Sequence, residues 1–285
     1  MDRLTRVCGH LVGLPQTSPR QSSEATTEPR VRRLRHAVAF GCSIDGITAE
    51  SSASAAHARV VAAALQEHSV VVIRGLPLTD PQQVQFTRDL AAACGTVLEP
   101  VHVVGGLQDV QKSDVDSRYL SKISNLDADG RRIPQDDVKA VYNAGNQLWH
   151  SDSSFKKVSA MASCLAARAP MDGFAGGETE FVSGRLAMRH LPTRLRVGKN
   201  KSFTPDNLRC LIGIHDLNFS RGLLVPQWGR DRPWATELPP SRHPLVAPSP
   251  SSWSSETLFI GAHLSAIEDL DLAVSALLLA LNCTA

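Results

Sequence analysis

Trp149-His150-Ser151-Asp152-Ser153-Ser154-Phe155, set within the stretch from Gly145 to Lys156, is the passage on which the reading of this chain turns. It offers one imidazole and one carboxylate two positions apart. In an extended backbone, residues i and i+2 point to the same face, so a strand from about Leu148 to Asp152 would present His150 and Asp152 to one cation. A facial site of two histidines and one carboxylate leaves a metal open positions for substrate and oxygen. A third ligand must then come from elsewhere in the chain. The plainer reading of the same residues is a core histidine beside a capping aspartate.

Upstream of this stretch, residues 108–139 are highly polar and read as a surface excursion or lid over a reactive centre. Further back the chain opens as β-α-β-α. Arg35 to Ile44 reads as a strand before the Asp45-Gly46 turn, and Ala53 to Gln66 as an alanine-rich helix. Val70 to Ile73 is a short branched strand stopped by Gly75. Thr79 or Asp80 caps a second helix with Pro81 in its first turn, and Gly95 gives that helix a left-handed ending. No GxGxxG follows the first strand, so a dinucleotide cradle is not expected.

Downstream, Ser159 to Ala167 is an apolar run. Gly176-Gly177-Glu178-Thr179-Glu180-Phe181 reads as a turn entering a strand, with the Thr179 hydroxyl available to a cavity. A helix is expected after Ser183, ending before Pro192. Arg209 to Ile214 and Thr257 to His263 read as strands. Ser265-Ala266-Ile267-Glu268 has capping-box spacing and predicts a terminal helix reaching Leu281.

Composition bounds the class. The 285 residues carry 30 Lys and Arg against 28 Asp and Glu, with 42% hydrophobic and 20% charged residues, the balance of a globular protein with room for a large core. Such neutrality does not call for a nucleic-acid partner, which needs a concentrated basic surface. The apolar stretch Leu272 to Leu281 falls well short of the ~20 residues that cross a bilayer, so no membrane span is expected. Six dispersed cysteines form neither a zinc ribbon nor a CxxC pair and fit buried thiols in a reducing, cytoplasmic compartment. Residues 1–30, with Pro15, Pro19, Pro29 and a Ser/Thr-rich run, read as a disordered leader. Their arginines leave organelle targeting as the lesser alternative. The domain proper is expected over residues 31–285.

The order of these motifs permits a family comparison. Trp149 to Phe155 followed by Gly176 to Phe181 resembles the taurine/2,4-dichlorophenoxyacetate dioxygenase (TauD/TfdA) superfamily, and most of all its 2,4-dichlorophenoxyacetate branch. Ile44-Asp45-Gly46-Ile47, Val71-Val72-Ile73-Arg74-Gly75 and the segment from Leu258 to Ala266 share in the resemblance. It implies an α+β fold built on a double-stranded β-helix, a cupin-like jelly-roll, with helices outside. It also implies a non-haem Fe(II)/2-oxoglutarate-dependent dioxygenase that hydroxylates a small organic acid with molecular oxygen, converting 2-oxoglutarate to succinate and CO2. By the same resemblance His150 and Asp152 bind iron(II), and Thr179 helps to hold 2-oxoglutarate.

The resemblance further implies a distal histidine and, shortly after it, an arginine for the far carboxylate of 2-oxoglutarate. Family spacing sets that histidine beyond Ala285. His215, His243 and His263 come too early, and no Lys or Arg follows Arg242. The expectation is therefore a carboxyl end without its closing strands, and an alternative function as a noncatalytic jelly-roll binding or regulatory remnant. Lys156 is a candidate to attract an acidic substrate, His215 and His263 could line a pocket, and Trp149 and Phe155 are expected to pack behind the ligand strand.

Overall fold

The computed structural model describes residues 7–8, 28–34, 40–100, 118–127, 129–137, 140, 149–153, 156–168, 179–190, 209–212, 241–244, 246–248, 256–258 and 264–267. Its elements fall into two compact units.

The first unit holds strands β1 (Val7–Cys8), β2 (Arg30–Arg33), β3 (Cys42–Asp45), β4 (Val71–Ile73) and β5 (Glu180–Phe181), with helices α1 (Ala55–His68) and α2 (Asp80–Ala93). β3 is the middle strand of a three-stranded sheet, antiparallel to β2 and parallel to β4. A parallel neighbour requires a crossover, and α1 supplies it. Along β3 Cys42 and Ile44 are wholly buried while Asp45 is exposed, the alternation of a strand with one face on a core.

Helix α1 turns Ala58, Val61, Ala62 and Ala64 inward. Small side chains there let the helix lie close to its neighbours, and it packs on α2, β3 and β4. Its entry is a polar turn in which Thr48 N–H donates to Ser51 Oγ at 3.0 Å and Ser51 N–H to Thr48 Oγ1 at 3.3 Å. Its exit is Ser69 in the left-handed region (φ 65°), whose N–H still reaches the Leu65 carbonyl at 2.8 Å. Gly75, at φ 64°, ends the β4 segment as expected. Ile47, Leu78, Phe86 and Leu90 complete the core cluster with β3 and α1.

Helix α2 begins at the expected cap: the Gln82 side-chain oxygen accepts from the Thr79 N–H and from its hydroxyl, each at 2.9 Å. Gly95, at φ 73°, gives the expected left-handed ending. Arg168 grips the start of the helix, donating to the Leu78 carbonyl, to Asp80 Oδ1 at 2.8 Å and to Gln83 Oε1 at 2.5 Å. The apolar run around it stays outward: Met161 and Leu165 are exposed, and residues 159–167 form no strand.

The second unit holds α3 (Gly184–His190), β6 (Arg209–Ile212), β7 (Ser241–Pro244), β8 (Val246–Pro248), β9 (Glu256–Leu258) and β10 (Leu264–Ile267). β6 is central, with β10 and β7 antiparallel on its two sides, and β8 pairs antiparallel with β9. α3 lies on β9. Gly184 makes that approach possible, because a Cβ there would stand 2.7 Å from Thr257 Oγ1 and closer still to the Leu258 carbonyl. The polar excursion is a surface turn over its described residues: Asp127 Oδ1 accepts from the N–H groups of Asp129 and Arg131, and Gly130 takes φ 77°.

One expectation is corrected. The capping-box residues Ser265, Ala266 and Ile267 lie in β10, not at the start of a helix; pairing with β6 outweighs the local helical signal. The remainder of the expected terminal helix lies outside the described residues. Of the strand expected from Thr257 to His263, Thr257 and Leu258 lie in β9, which begins at Glu256, and residues 259–263 lie outside the described residues. Among the described residues no helix is long and apolar enough to cross a membrane.

Candidate functional site

His150 and Asp152 do meet, but not on a strand. Residues 149–151 have no regular structure, and a turn begins at Asp152. The reason is local. Ser151, Asp152 and Ser153 carry short polar side chains that compete with sheet hydrogen bonding, and Ser153 takes a left-handed backbone at φ 55°. The Lys156 N–H donates to the Ser153 carbonyl at 3.0 Å.

Within it His150 Nε2 lies 3.3 Å from Asp152 Oδ1, with the imidazole largely covered and the carboxylate more than half exposed. Two neighbouring ligand atoms, each about 2.1 Å from a divalent ion, stand roughly 3 Å apart when they subtend a right angle. The observed separation fits one edge of such a coordination sphere. The donor chemistry fits as well, because a nitrogen and an oxygen ligand together suit a borderline divalent transition metal. Among the described residues no group of three His, Cys, Asp or Glu side chains gathers as a metal site.

Thr179 is exposed and stands immediately before β5, in the first unit. Trp149 is half-buried beside His150 in sequence. Phe155, His215 and His263 lie outside the described residues. Lys156 enters through its backbone, its carbonyl accepting from His243 Nε2 at 2.9 Å. That contact spans 87 positions, and no local pattern in the sequence announces it.

Comparison with known proteins follows the same lines. Residues 30–281 match the family described as "Taurine catabolism dioxygenase TauD, TfdA family". The α-ketoglutarate-dependent 2,4-dichlorophenoxyacetate dioxygenase of Cupriavidus pinatubonensis (strain JMP 134 / LMG 1197) is 32% identical over 246 residues, covering 85% of this chain and 77% of that protein. Among solved structures, AAD-2 in complex with Mn(II) and N-oxalylglycine shares 22% identity and a TM-score of 0.67, over 91% of this chain and 82% of that one. A taurine dioxygenase from Burkholderia xenovorans shares 19% identity and a TM-score of 0.57, over 90% and 73%. These structural likenesses establish the fold class, the α+β jelly-roll with outer helices.

Proposed function

Because the chain belongs to the TauD/TfdA family of dioxygenases, and so to the enzymes that use Fe(II), O2 and 2-oxoglutarate, we propose that His150 and Asp152 are its iron ligands and Thr179 a 2-oxoglutarate contact. The approach of His150 Nε2 to Asp152 Oδ1 at 3.3 Å carries the first assignment. The reaction is hydroxylation of a small organic acid, with 2-oxoglutarate oxidatively decarboxylated to succinate and CO2. Iron(II), when bound, would supply open positions for 2-oxoglutarate and O2, and with the electrons released by decarboxylation of 2-oxoglutarate would turn O2 into an oxidant.

The chain's own residues do the rest. His150 gives a neutral imidazole nitrogen and Asp152 an anionic oxygen, and each must release its proton to bind the metal. Their preformed approach lowers the reorganisation needed for capture. The Thr179 hydroxyl can donate to a cosubstrate carboxylate and accept from water. The similarity to a 2,4-dichlorophenoxyacetate dioxygenase favours an aryloxyacetate-like acid as substrate. Residues 31–285 form the catalytic domain in this reading. A cytoplasmic setting accords with Cys42, Cys94 and Cys164 being free thiols.

The test is anaerobic Mn(II) titration followed by succinate measurement with Fe(II), 2-oxoglutarate and O2. Asp152→Ala and His150→Ala should each weaken Mn(II) binding by about a hundredfold or more and abolish succinate formation; Thr179→Val should raise the KM for 2-oxoglutarate several-fold while leaving Mn(II) affinity unchanged. Metal affinity equal to the parent's in both alanine variants would sink the ligand assignment. Among acids, 2,4-dichlorophenoxyacetate should stimulate succinate formation more than taurine, and the reverse order would remove the aryloxyacetate reading.

A further inference from the structure

We propose that β2 (Arg30–Arg33) is a docking edge for an extended, acidic segment of another protein, which adds to the β2-β3-β4 sheet as a further strand. The sheet order ends on β2, and among the described residues no strand lies beyond it. All four of its residues are exposed, Val31 at 44%. An edge strand offers a row of N–H and C=O groups to any extended chain. Strand addition takes its affinity from those groups and its selectivity from alternate side chains.

The edge is held ready. β2 pairs with β3 over its whole length, from Arg30 opposite Asp45 to Arg33 opposite Cys42. Arg32 Nε stands 3.0 Å from Asp45 Oδ2, and the Leu34 N–H reaches the Gly41 carbonyl at 3.5 Å. β3 is itself anchored by Cys42 and Ile44, both wholly buried. A strand already fixed in its bound form loses little freedom when a partner docks.

Its side chains choose that partner. Successive side chains alternate between faces, so Arg30 and Arg32 share the face of Asp45, while Val31 and Arg33 share that of Ile44 and Cys42. Both faces of the edge are basic, and among the described residues Asp45 is the one acid in salt-bridge contact with them, through Arg32. A second copy of β2 would set arginine opposite arginine, and like charges directly opposite destabilise a ladder. Opposite charges at those positions stabilise it. The charge that turns away a copy thus selects a strand rich in Asp or Glu.

The experiment titrates the whole chain into a short fluorescent peptide of alternating glutamate and valine, read by anisotropy. A twin peptide, N-methylated at every backbone amide, keeps the charge and cannot join a ladder. The parent peptide should bind about tenfold more tightly than the twin. Joint replacement Arg30→Glu and Arg33→Glu should weaken it about tenfold and favour a lysine/valine peptide instead. Arg32 is kept so that its pair with Asp45 still holds β2. If the double variant fails to fold, the comparison of peptide and twin on the unaltered chain decides alone. Equal affinity for the two peptides overturns the proposal, because charge alone then explains the binding, as it would for a nucleic acid or a sulfated polysaccharide. No binding of the parent peptide overturns it as well. A dimer in sedimentation that the double variant dissolves would give the edge to a second copy, against the proposal.

Discussion

At the scale of single residues, the sequence offered the candidate donors of the site, His150 and Asp152, but not their backbone. A histidine and an aspartate two positions apart name their own chemistry, but the extended strand predicted for them is a turn, because Ser153 adopts φ 55°. Serine has only a weak preference against a strand, so nothing in its identity announced that angle. Its cost is measurable. Ser153→Gly should stabilise the protein by up to about 1 kcal/mol and Ser153→Val should destabilise it by about 1–2 kcal/mol, read from urea midpoints. Cys42 gives a second residue-level prediction. Burial first, and then the charge of Glu67, push its thiol pKa up. A raised native pKa means that the folded protein holds the proton more tightly, so the stabilisation is complete below the ordinary thiol value of about 8.5 and is lost as pH rises past it. Thermal midpoints should fall on the alkaline side, and Cys42→Ala should flatten that slope even though it lowers the midpoint at neutral pH.

At the scale of elements, success followed the strength of local signals. Helices α1 and α2 were readable from their periodicity and caps, and the Thr79–Gln82 pairing appears where proline and threonine placed it. Gln82→Ala should cost about 1 kcal/mol of stability by chemical denaturation, the usual worth of a helix cap. The helix expected from Ser265 failed for the opposite reason. Leu264–Ile267 finds a partner in Arg209–Ile212, and a strand's preference is decided by its neighbours more than by its own residues. Gly184 is another feature set by a distant partner, the β9 backbone at Leu258. Gly184→Ala should destabilise by about 1–3 kcal/mol, because a backbone oxygen cannot step aside as a flexible side chain can; an unchanged unfolding midpoint would show that α3 and β9 separate without cost.

For the molecule as a whole, the order of motifs along the chain was enough to place it in its family of dioxygenases, which the match over residues 30–281 shows. The sheets themselves could not have been assembled from the sequence, since β6 joins strands far along the chain on both sides. Metal binding should couple to global stability. Mn(II) at about a hundred times its dissociation constant should add about 2.7 kcal/mol to unfolding, and Asp152→Ala should erase that response. Among the described residues the hydrophobic core cluster runs from Cys42 to Leu90. Contacts so near in sequence form quickly, so this nucleus can gather while the ribosome is still translating, before residue 150 has been made. Loss of the proposed iron ligands should therefore leave synthesis and initial folding untouched. In pulse-chase experiments His150→Ala protein should be made and first folded at the parent's rate, and should turn over faster only to the extent that bound metal stabilises the parent.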